Sequence, residues 1–463
     1  MLESILKKII SDKILWIQNR KKKQPLISFK YKIKKSNYNF KKSLQSIHPS
    51  YILEIKKKSP SLGEIQPNLD LKFISSIYKK YASSISVLTD EKYFHGNFEF
   101  IPQVRKIAIN QPILCKDFFI DPYQIYLARY YQADSILLML SILNDNQYIL
   151  LRNLAYDLNM DVLTEVENKT ELRRALYLKS NIIGINNRNL HDFSINIEKT
   201  KKLAPLIPSN ITTISESGIT NYIQIRQLTP FVQGFLIGSH LMKQKDLETA
   251  ICKIIVGNNK ICGLTRLKDV KTLKKYGIIY GGLIFCKSSP RYINYKHAVH
   301  ITNNEKLKYV GVFCNERFKI ISKIVNMLSL YSIQLHGNEN QIYINTLKSL
   351  IPRSVKIWKA LTYLEFIKQK CLLRNVNKYV VDNKQGGSGK CFNWEYIKNY
   401  KLNNILLAGG LNISNCILAT NLNCFGLDFN TGVEISPGIK SSKKIKQLYN
   451  SLRTHQVTIS KTN

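Results

Sequence analysis

The sequence predicts two tandem (β/α)8 barrels, and three observations carry that prediction. The chain has 463 residues, nearly twice the ~250 that one such barrel uses. Short apolar runs of strand length alternate with helix-length gaps, eight before residue 257 and eight after it. Polar, chemistry-bearing residues stand where the runs end, the face on which barrel proteins assemble their sites. Periodicity alone also allows a doubly wound sheet, and the count of eight, occurring twice, favours barrels.

Taken in order, residues 1–8 read as the start of an amphipathic helix in a lysine-rich lead-in. Strands are expected near 51–55, 85–88, 113–115, 135–138, 162–165, 182–185, 211–214 and 234–237. A closing helix takes 247–257, and 257–260 is a short junction. The pattern restarts at 261–264, 278–285, 309–313, 333–335, 357–360, 379–381, 405–407 and 426–429. The expected domains are therefore 1–256 and 257–463.

Hydrophobic residues make up 44% and charged residues 22% of the chain, enough apolar material for a sizeable core. The net charge of +38 points toward nucleic acid or acidic membranes. Yet the lysines scatter over nearly every polar stretch. The densest runs, at 21–23 and 56–58, form no long basic arm interleaved with stacking aromatics. Solvated lysine faces and no nucleic-acid partner are expected. Nine cysteines lie far apart with no C-x-x-C pair, against a disulfide framework or zinc site and for a reducing compartment. There is no signal-peptide h-region, and the longest apolar stretches, 135–143 and 277–286, are far short of a bilayer span. A cytoplasmic chain with no membrane partner is expected.

In the first half, alternation along strand one places Glu54, Lys56 and Lys58 on one side. Strand three ends in Lys116, strand five in Glu165, strand six in Asn186 and Arg188, and strand seven in Glu216, Ser217 and Gly218. Gly238 and Ser239 end strand eight beside a helix start whose free N–H groups suit a phosphate. An isolated strand-end charge is more often solvated or paired than catalytic, but barrel strand ends converge. Lys116 as acid and Glu165 as base supply the pair that proton transfer needs.

The strings LEIKKKSPSLG, LTDEKYFHG, LCKDFFID, TEVEN, GINNRNL, ISESGI and GFLIGS together resemble indole-3-glycerol-phosphate synthase over about residues 1–255. The resemblance implies ring closure of a carboxyphenylamino-deoxyribulose phosphate with loss of CO2 and water. It implies Lys116 as the general acid and Glu165 as the general base, with Glu54, Lys56 and Asn186 assisting. Lys58, Phe94, Arg188, Glu216 and Ser217 fall at substrate positions, and Ser59, Gly218, Gly238 and Ser239 at phosphate positions. Leu62 departs from the pattern, which often has lysine there.

In the second half Cys262, taken alone, reads as a small core residue of strand one. Strand six ends in Asp382, ahead of a glycine-rich stretch at 386–390 that lacks P-loop spacing. Together a thiol and a carboxylic acid across one barrel mouth suit a proton-shuttling isomerase. Gly409 and Gly410, and Asn430 and Thr431, occupy the usual phosphate loops seven and eight. Arg291 supplies a cation, and His336 is a ligand or a structural histidine with even weight.

The strings KICGLT, GLIFCKSSPR, VGVFCNE, QLHGNE, VDNKQGGSGK, LLAGGLN and GLDFNTGVE resemble N-(5′-phosphoribosyl)anthranilate isomerase over about 260–453. The implied reaction is an Amadori rearrangement whose product is the substrate of the first half. Cys262 is then the general base and Asp382 the general acid. Arg291, His336 and Asp428 face substrate, and Gly387, Gly409, Gly410, Asn430 and Thr431 the phosphate. Thr431 stands where serine is common, which keeps the hydroxyl. The order of the halves resembles the fused bifunctional enzymes of bacterial tryptophan biosynthesis. Small phosphosugar–anthranilate substrates, no metal or other cofactor and a monomeric chain are expected. The competing readings are one active barrel beside a relic, and a basic nucleic-acid-binding module of barrel ancestry.

Overall fold

The apolar runs of the first half become eight parallel strands because most are buried along nearly their whole length, as parallel sheets require. They are β1 (Ser50–Ile55), β2 (Ser84–Leu88), β3 (Ile113–Lys116), β4 (Ser135–Met139), β5 (Asp161–Val166), β6 (Ile182–Asn186), β7 (Thr212–Glu216) and β8 (Gly234–Ile237). Each pairs with its neighbours in sequence, and β1 also pairs with β8, which closes the barrel. The second half repeats the plan with β9 (Lys260–Ile261), β10 (Tyr280–Ile284), β11 (Lys308–Phe313), β12 (Ser332–Leu335), β13 (Lys356–Thr362), β14 (Lys378–Asp382), β15 (Ile405–Leu407) and β16 (Gly426–Phe429). Here β9 pairs with β16 to close the ring.

The computed structural model describes residues 5–189, 192–368, 373–383 and 391–455. Contacts divide the chain into two units, Met1–Ile251 and Cys252–Asn463. The division falls inside the helix Leu247–Ile255. Its last turn goes with the second unit, where Cys252 Sγ lies so close to Gly277 that a Cβ there would come within 2.8 Å.

Local chemistry seats the helices that return the chain between strands. Asn144, Asn168, Asn221, Asn294 and Asn340 each accept a backbone N–H at a helix start. Asp121 does so in a full capping box with Gln124, with Pro122 in the first turn. The asparagine-rich composition is thus partly spent on helix starts.

The lead-in forms a helix over Ile5–Lys23 that buries Ile9, Lys13 and Ile17. Ile9 joins Phe40, Leu44, Ile52, Leu114, Leu137 and Leu163 in one core cluster. Lys13 is 3% exposed and ion-paired to Asp90 at 2.6 Å and Asp117 at 2.7 Å. The helix is therefore pinned at the end of the barrel where those aspartates follow β2 and β3.

Two departures from the sequence reading affect the sites. β1 ends at Ile55, and Lys58 opens a short hairpin, Lys58–Ser59 with Gly63–Glu64. The alternation that grouped Lys58 with Glu54 and Lys56 stops before reaching it. In the second barrel the first strand is only two residues long, because Gly263 turns with φ of 70°. Cys262 N still donates to Phe429 O at 2.8 Å, so the thiol stays at the rim of the sheet.

Asp134, fully buried just before β4, ties this architecture together. It accepts from Ile113 N at 2.9 Å and Ser36 Oγ at 2.7 Å, and it pairs with Arg129 at 3.1 Å and with Arg105. Asp134→Ala is expected to destabilise the first barrel by about 3–5 kcal/mol, because two largely buried guanidiniums lose their counter-charge. Equilibrium urea unfolding measures this, and a loss below 1 kcal/mol contradicts the assignment.

Candidate active sites

In the first barrel, period-two alternation on β1 turns Glu54 and Lys56 into the mouth. Glu54 is 2% exposed, paired with Lys56 at 2.6 Å and with Lys116 of β3 at 3.4 Å. Lys116 also meets Glu216 of β7 at 2.9 Å. Burial opposes the charge of Glu54, but the two ammoniums win and hold its carboxyl below the usual range. Burial likewise opposes the charge of Lys116, and the carboxylates Glu216, Glu54 and Glu165 overcome it, raising its pKa.

Glu165 of β5 behaves oppositely. Its carboxyl accepts from Asn186 Nδ2 at 3.1 Å, and no ion pair reaches it among the described residues. Burial, reinforced by the Glu216 charge, pushes it up to about 8. One mouth thus holds a charged ammonium beside a proton-bearing carboxyl, an acid–base set separated by environment.

Around this set lies a cavity of ≈ 120 Å³ lined by Glu54, Lys56, Ser59, Phe94, Lys116, Glu165, Asn186, Arg188, Ser217 and Ser239. A second hollow of ≈ 440 Å³ shares Glu54, Lys56, Lys116 and Arg188 and adds Gly218, Gly238 and Lys243. Ser217 and Gly218 have φ of 66° and 82°, turning the chain at the end of β7. Lys56 Nζ donates to Ser239 Oγ at 3.2 Å, and Ser59 Oγ is buried with no partner. Arg188 is held by Phe193 O at 3.0 Å. Glu216 lines neither cavity and is paired with Lys116.

Lys58 is corrected here: it lines neither cavity and instead lies 3.3 Å from His95 Nε2. Leu62, the departure from the lysine pattern, does line the larger hollow. Sequence reasoning missed the wall supplied by Ile5, Leu6 and Ile9 of the lead-in helix. Their i, i+4 spacing was the available signal.

In the second barrel a cavity of ≈ 410 Å³ is lined by Cys262, Arg291, His336, Asp382, Gly409, Gly410, Asp428, Asn430 and Thr431. Gly387 lies outside the described residues. Burial raises the Cys262 thiol, with the nearby Lys260 ammonium acting against it. Burial, with Asp428 adding to it, pushes Asp382 up to about 6. Gly409, with φ of 85°, leaves the space in which a Cβ would come within 2.8 Å of Asp382 Oδ1.

His336 stands at the rim beside Gln334, 3.2 Å from its Nε2. The desolvating wall, aided by Lys260 and Lys359, pushes its ring down to about 4. It is a neutral hydrogen-bonding group at pH 7. Arg291 is 7% exposed and carries three contacts of 2.9–3.1 Å from Nε and Nη2 to Glu434. Its guanidinium is thus aimed by a carboxylate that sequence reasoning missed. Also missed was Lys260, wholly buried and 2.6 Å from Asp428 Oδ2. The alternation that paired Glu54 with Lys56 would have found it, two residues before Cys262.

The fold and the two mouths define a pair of barrel enzymes, each with an unlike acid–base set beside glycine-lined loops. Residues 6–254 match the family model for indole-3-glycerol phosphate synthase, and residues 259–451 that for N-(5′-phosphoribosyl)anthranilate (PRA) isomerase. The tryptophan biosynthesis protein TrpCF of Buchnera aphidicola subsp. Baizongia pistaciae is 70% identical over 98% of this chain and 97% of its own. That of Salmonella typhi is 48% identical over 98% and 100%. Phosphoribosyl anthranilate isomerase from Thermotoga maritima is 26% identical, covering 42% of this chain and 98% of its own, with a TM-score of 0.37. The chain belongs to the bifunctional TrpCF family, with a synthase barrel followed by an isomerase barrel.

Proposed function

We propose that the two reactions run at two independent sites, each with its own acid–base set. The observation that supports this is the lining of one cavity by Lys116 and Glu165 and of another by Cys262 and Asp382. The isomerase barrel, bounded at 256/257, takes N-(5-phosphoribosyl)anthranilate first. Asp382 gives a proton to the ribose ring oxygen, and the lone pair of the anthranilate nitrogen opens the ring to an iminium ion at C1. The Cys262 thiolate removes the proton on C2, and the enol then becomes the ketone of 1-(2-carboxyphenylamino)-1-deoxyribulose 5-phosphate. Asp382, near neutrality at about 6, is suited to give up and regain a proton.

That product passes to the synthase barrel. Lys116 protonates the ketone oxygen as the aromatic carbon bearing the carboxylate attacks the carbonyl carbon. Loss of CO2 restores the aromatic ring, and Glu165 takes the proton from the neighbouring carbon as the hydroxyl, protonated by a lysine ammonium of the mouth, leaves as water to give indole-3-glycerol phosphate. Glu54 and Lys56 hold the reacting centre, Asn186 orients Glu165, and Phe94, Arg188 and Ser217 line the substrate. Ser59, Gly218, Gly238 and Ser239 take the phosphate. In the isomerase barrel Arg291 takes the anthranilate carboxylate, His336 and Asp428 flank the sugar, and Gly409, Gly410, Asn430 and Thr431 take the phosphate. The chain works as a cytoplasmic monomer without nucleic acid, and the intermediate diffuses freely. No described helix is long and apolar enough to cross a membrane.

Lys116→Ala is expected to lower indoleglycerol phosphate formation by about 10²–10⁴-fold while isomerisation stays near normal, and Asp382→Asn to do the reverse. A coupled assay following both products decides. Loss of both reactions from either change in a folded chain sinks the two-site reading.

The synthase should also depend on pH through Glu165. Only its ionised form is a base, so kcat/KM rises with pH and levels off above about 8. Glu165→Gln removes that limb. The sign for stability is opposite: a raised carboxyl favours the folded state at low pH, and the contribution is lost as pH climbs through about 8. A flat wild-type kcat/KM between pH 6 and 9 refutes the assignment.

A further inference from the structure

We propose that Lys260 is a positioning residue of the isomerase, holding its buried ammonium against Cys262 so that the thiol can serve as a base. The inference rests on the reading of Cys262 as that base. Lys260 and Cys262 are two residues apart at the start of the second barrel, so both face its interior. Gly282 on β10 makes the space for them. A Cβ there would come within 2.6 Å of Cys262 Sγ and 3.1 Å of Lys260 Cε. On the other side Lys260 stands in register with Asp428 of β16 and pairs with its Oδ2 at 2.6 Å. The ammonium thus lies near both a carboxylate and the thiol, and its charge favours the thiolate.

A fully buried lysine is costly, and one carboxylate would be enough to hold it. Its other neighbour across the Gly282 space, the thiol, is the one that bears on chemistry. A thiolate forming in this mouth has few other sources of stabilisation. Cys286, beyond β10, is a neutral thiol whose pKa burial raises to about 12. His336, beyond β12, is neutral at pH 7. Lys440, from the hairpin after β16, acts on Cys262 only at longer range, since Glu434 takes it at 2.6 Å and Asn430 at 2.9 Å. Asp428 opposes the thiolate and so sets the other limit. Its Oδ1 is buried and unpartnered, free to accept from a substrate hydroxyl. A substrate that engages Asp428 draws charge away from the lysine's partner and leaves the ammonium more effective toward sulfur.

The test is the pH dependence of iodoacetamide alkylation at Cys262 in the full chain, read by mass spectrometry of the peptide carrying it. Lys260→Met should move the midpoint up by about 1–3 pH units, the span an opposite charge at contact commands. Asp428→Asn should move it down, because the ammonium is no longer neutralised. Isomerase kcat/KM should fall in Lys260→Met with its rising pH limb displaced upward by the same amount, while the synthase activity of the chain is unchanged. An unmoved midpoint in Lys260→Met, or shifts of one sign in both variants, overturns the proposal. If the Lys260→Met barrel unfolds, Cys416, buried in the folded chain, becomes alkylated too. The Asp428→Asn arm then decides alone. Alkylation does not depend on turnover, so a Cys262→Ala chain that keeps isomerase activity would instead refute Cys262 as the base.

Discussion

A charge taken out of water inside a barrel survives only beside its counter-charge, and both mouths are organised by that constraint. In the synthase barrel Glu54 is matched by Lys56 and Glu216 by Lys116. Glu165 is the carboxyl left without an ion pair among the described residues, and it is the one raised to about 8. In the isomerase barrel Asp428 is matched by Lys260, and Glu434 by Arg291 and Lys440. Asp382 is left over and rises to about 6. In each mouth the carboxyl suited to proton transfer is the unmatched one. The ion pairs therefore matter less for stability than for deciding which group stays free to titrate.

Such crowding needs room, and glycine supplies it. A Cβ at Gly184 on β6 would collide with the Glu216 carboxylate, and one at Gly238 with that of Glu54. Gly282 does the same for Cys262, and Gly409 for Asp382. These are close approaches of backbone to side chain within the sheet or its loops, where glycine otherwise only weakens a strand. The strand-end glycines legible as phosphate loops thus have a second duty toward the acid–base groups.

What the sequence made legible follows from how local each signal is. The sixteen strands were readable because each is a short buried apolar run bounded by polar residues. The first-barrel groups were readable because their strands end in charges. Lys58 was misplaced because alternation was carried past the end of β1 into a hairpin set by Gly63, with φ of 67°. Lys260 was hidden because it looked like a junction residue, and only closure of β9 on β16 brings Asp428 beside it. Glu434 left no local trace, as its partner Arg291 is 143 residues away. The contribution of Ile5, Leu6 and Ile9 to a cavity depends on Lys13 reaching two aspartates that are distant in sequence.

Placing the cation on a different strand in each half explains how one architecture carries two chemistries. In the synthase barrel Lys116 is on β3, and the carboxylates around it come from β1, β5 and β7. In the isomerase barrel Lys260 is on β9, the thiol is two residues on, and the carboxylates come from β14 and β16. Strand ends of a closed barrel converge, so an interaction can be moved from strand to strand without changing the fold. What such a move changes is the neighbour of the cation. Beside carboxylates alone, as at Lys116, an ammonium remains a proton donor with raised pKa, suited to meeting a carbonyl oxygen. Beside a thiol, as at Lys260, its charge is better used to favour an anion than to deliver a proton. The duplicated barrel thus fixes where charges can meet, and the strand chosen for one lysine determines whether that meeting yields an acid or helps to make a base.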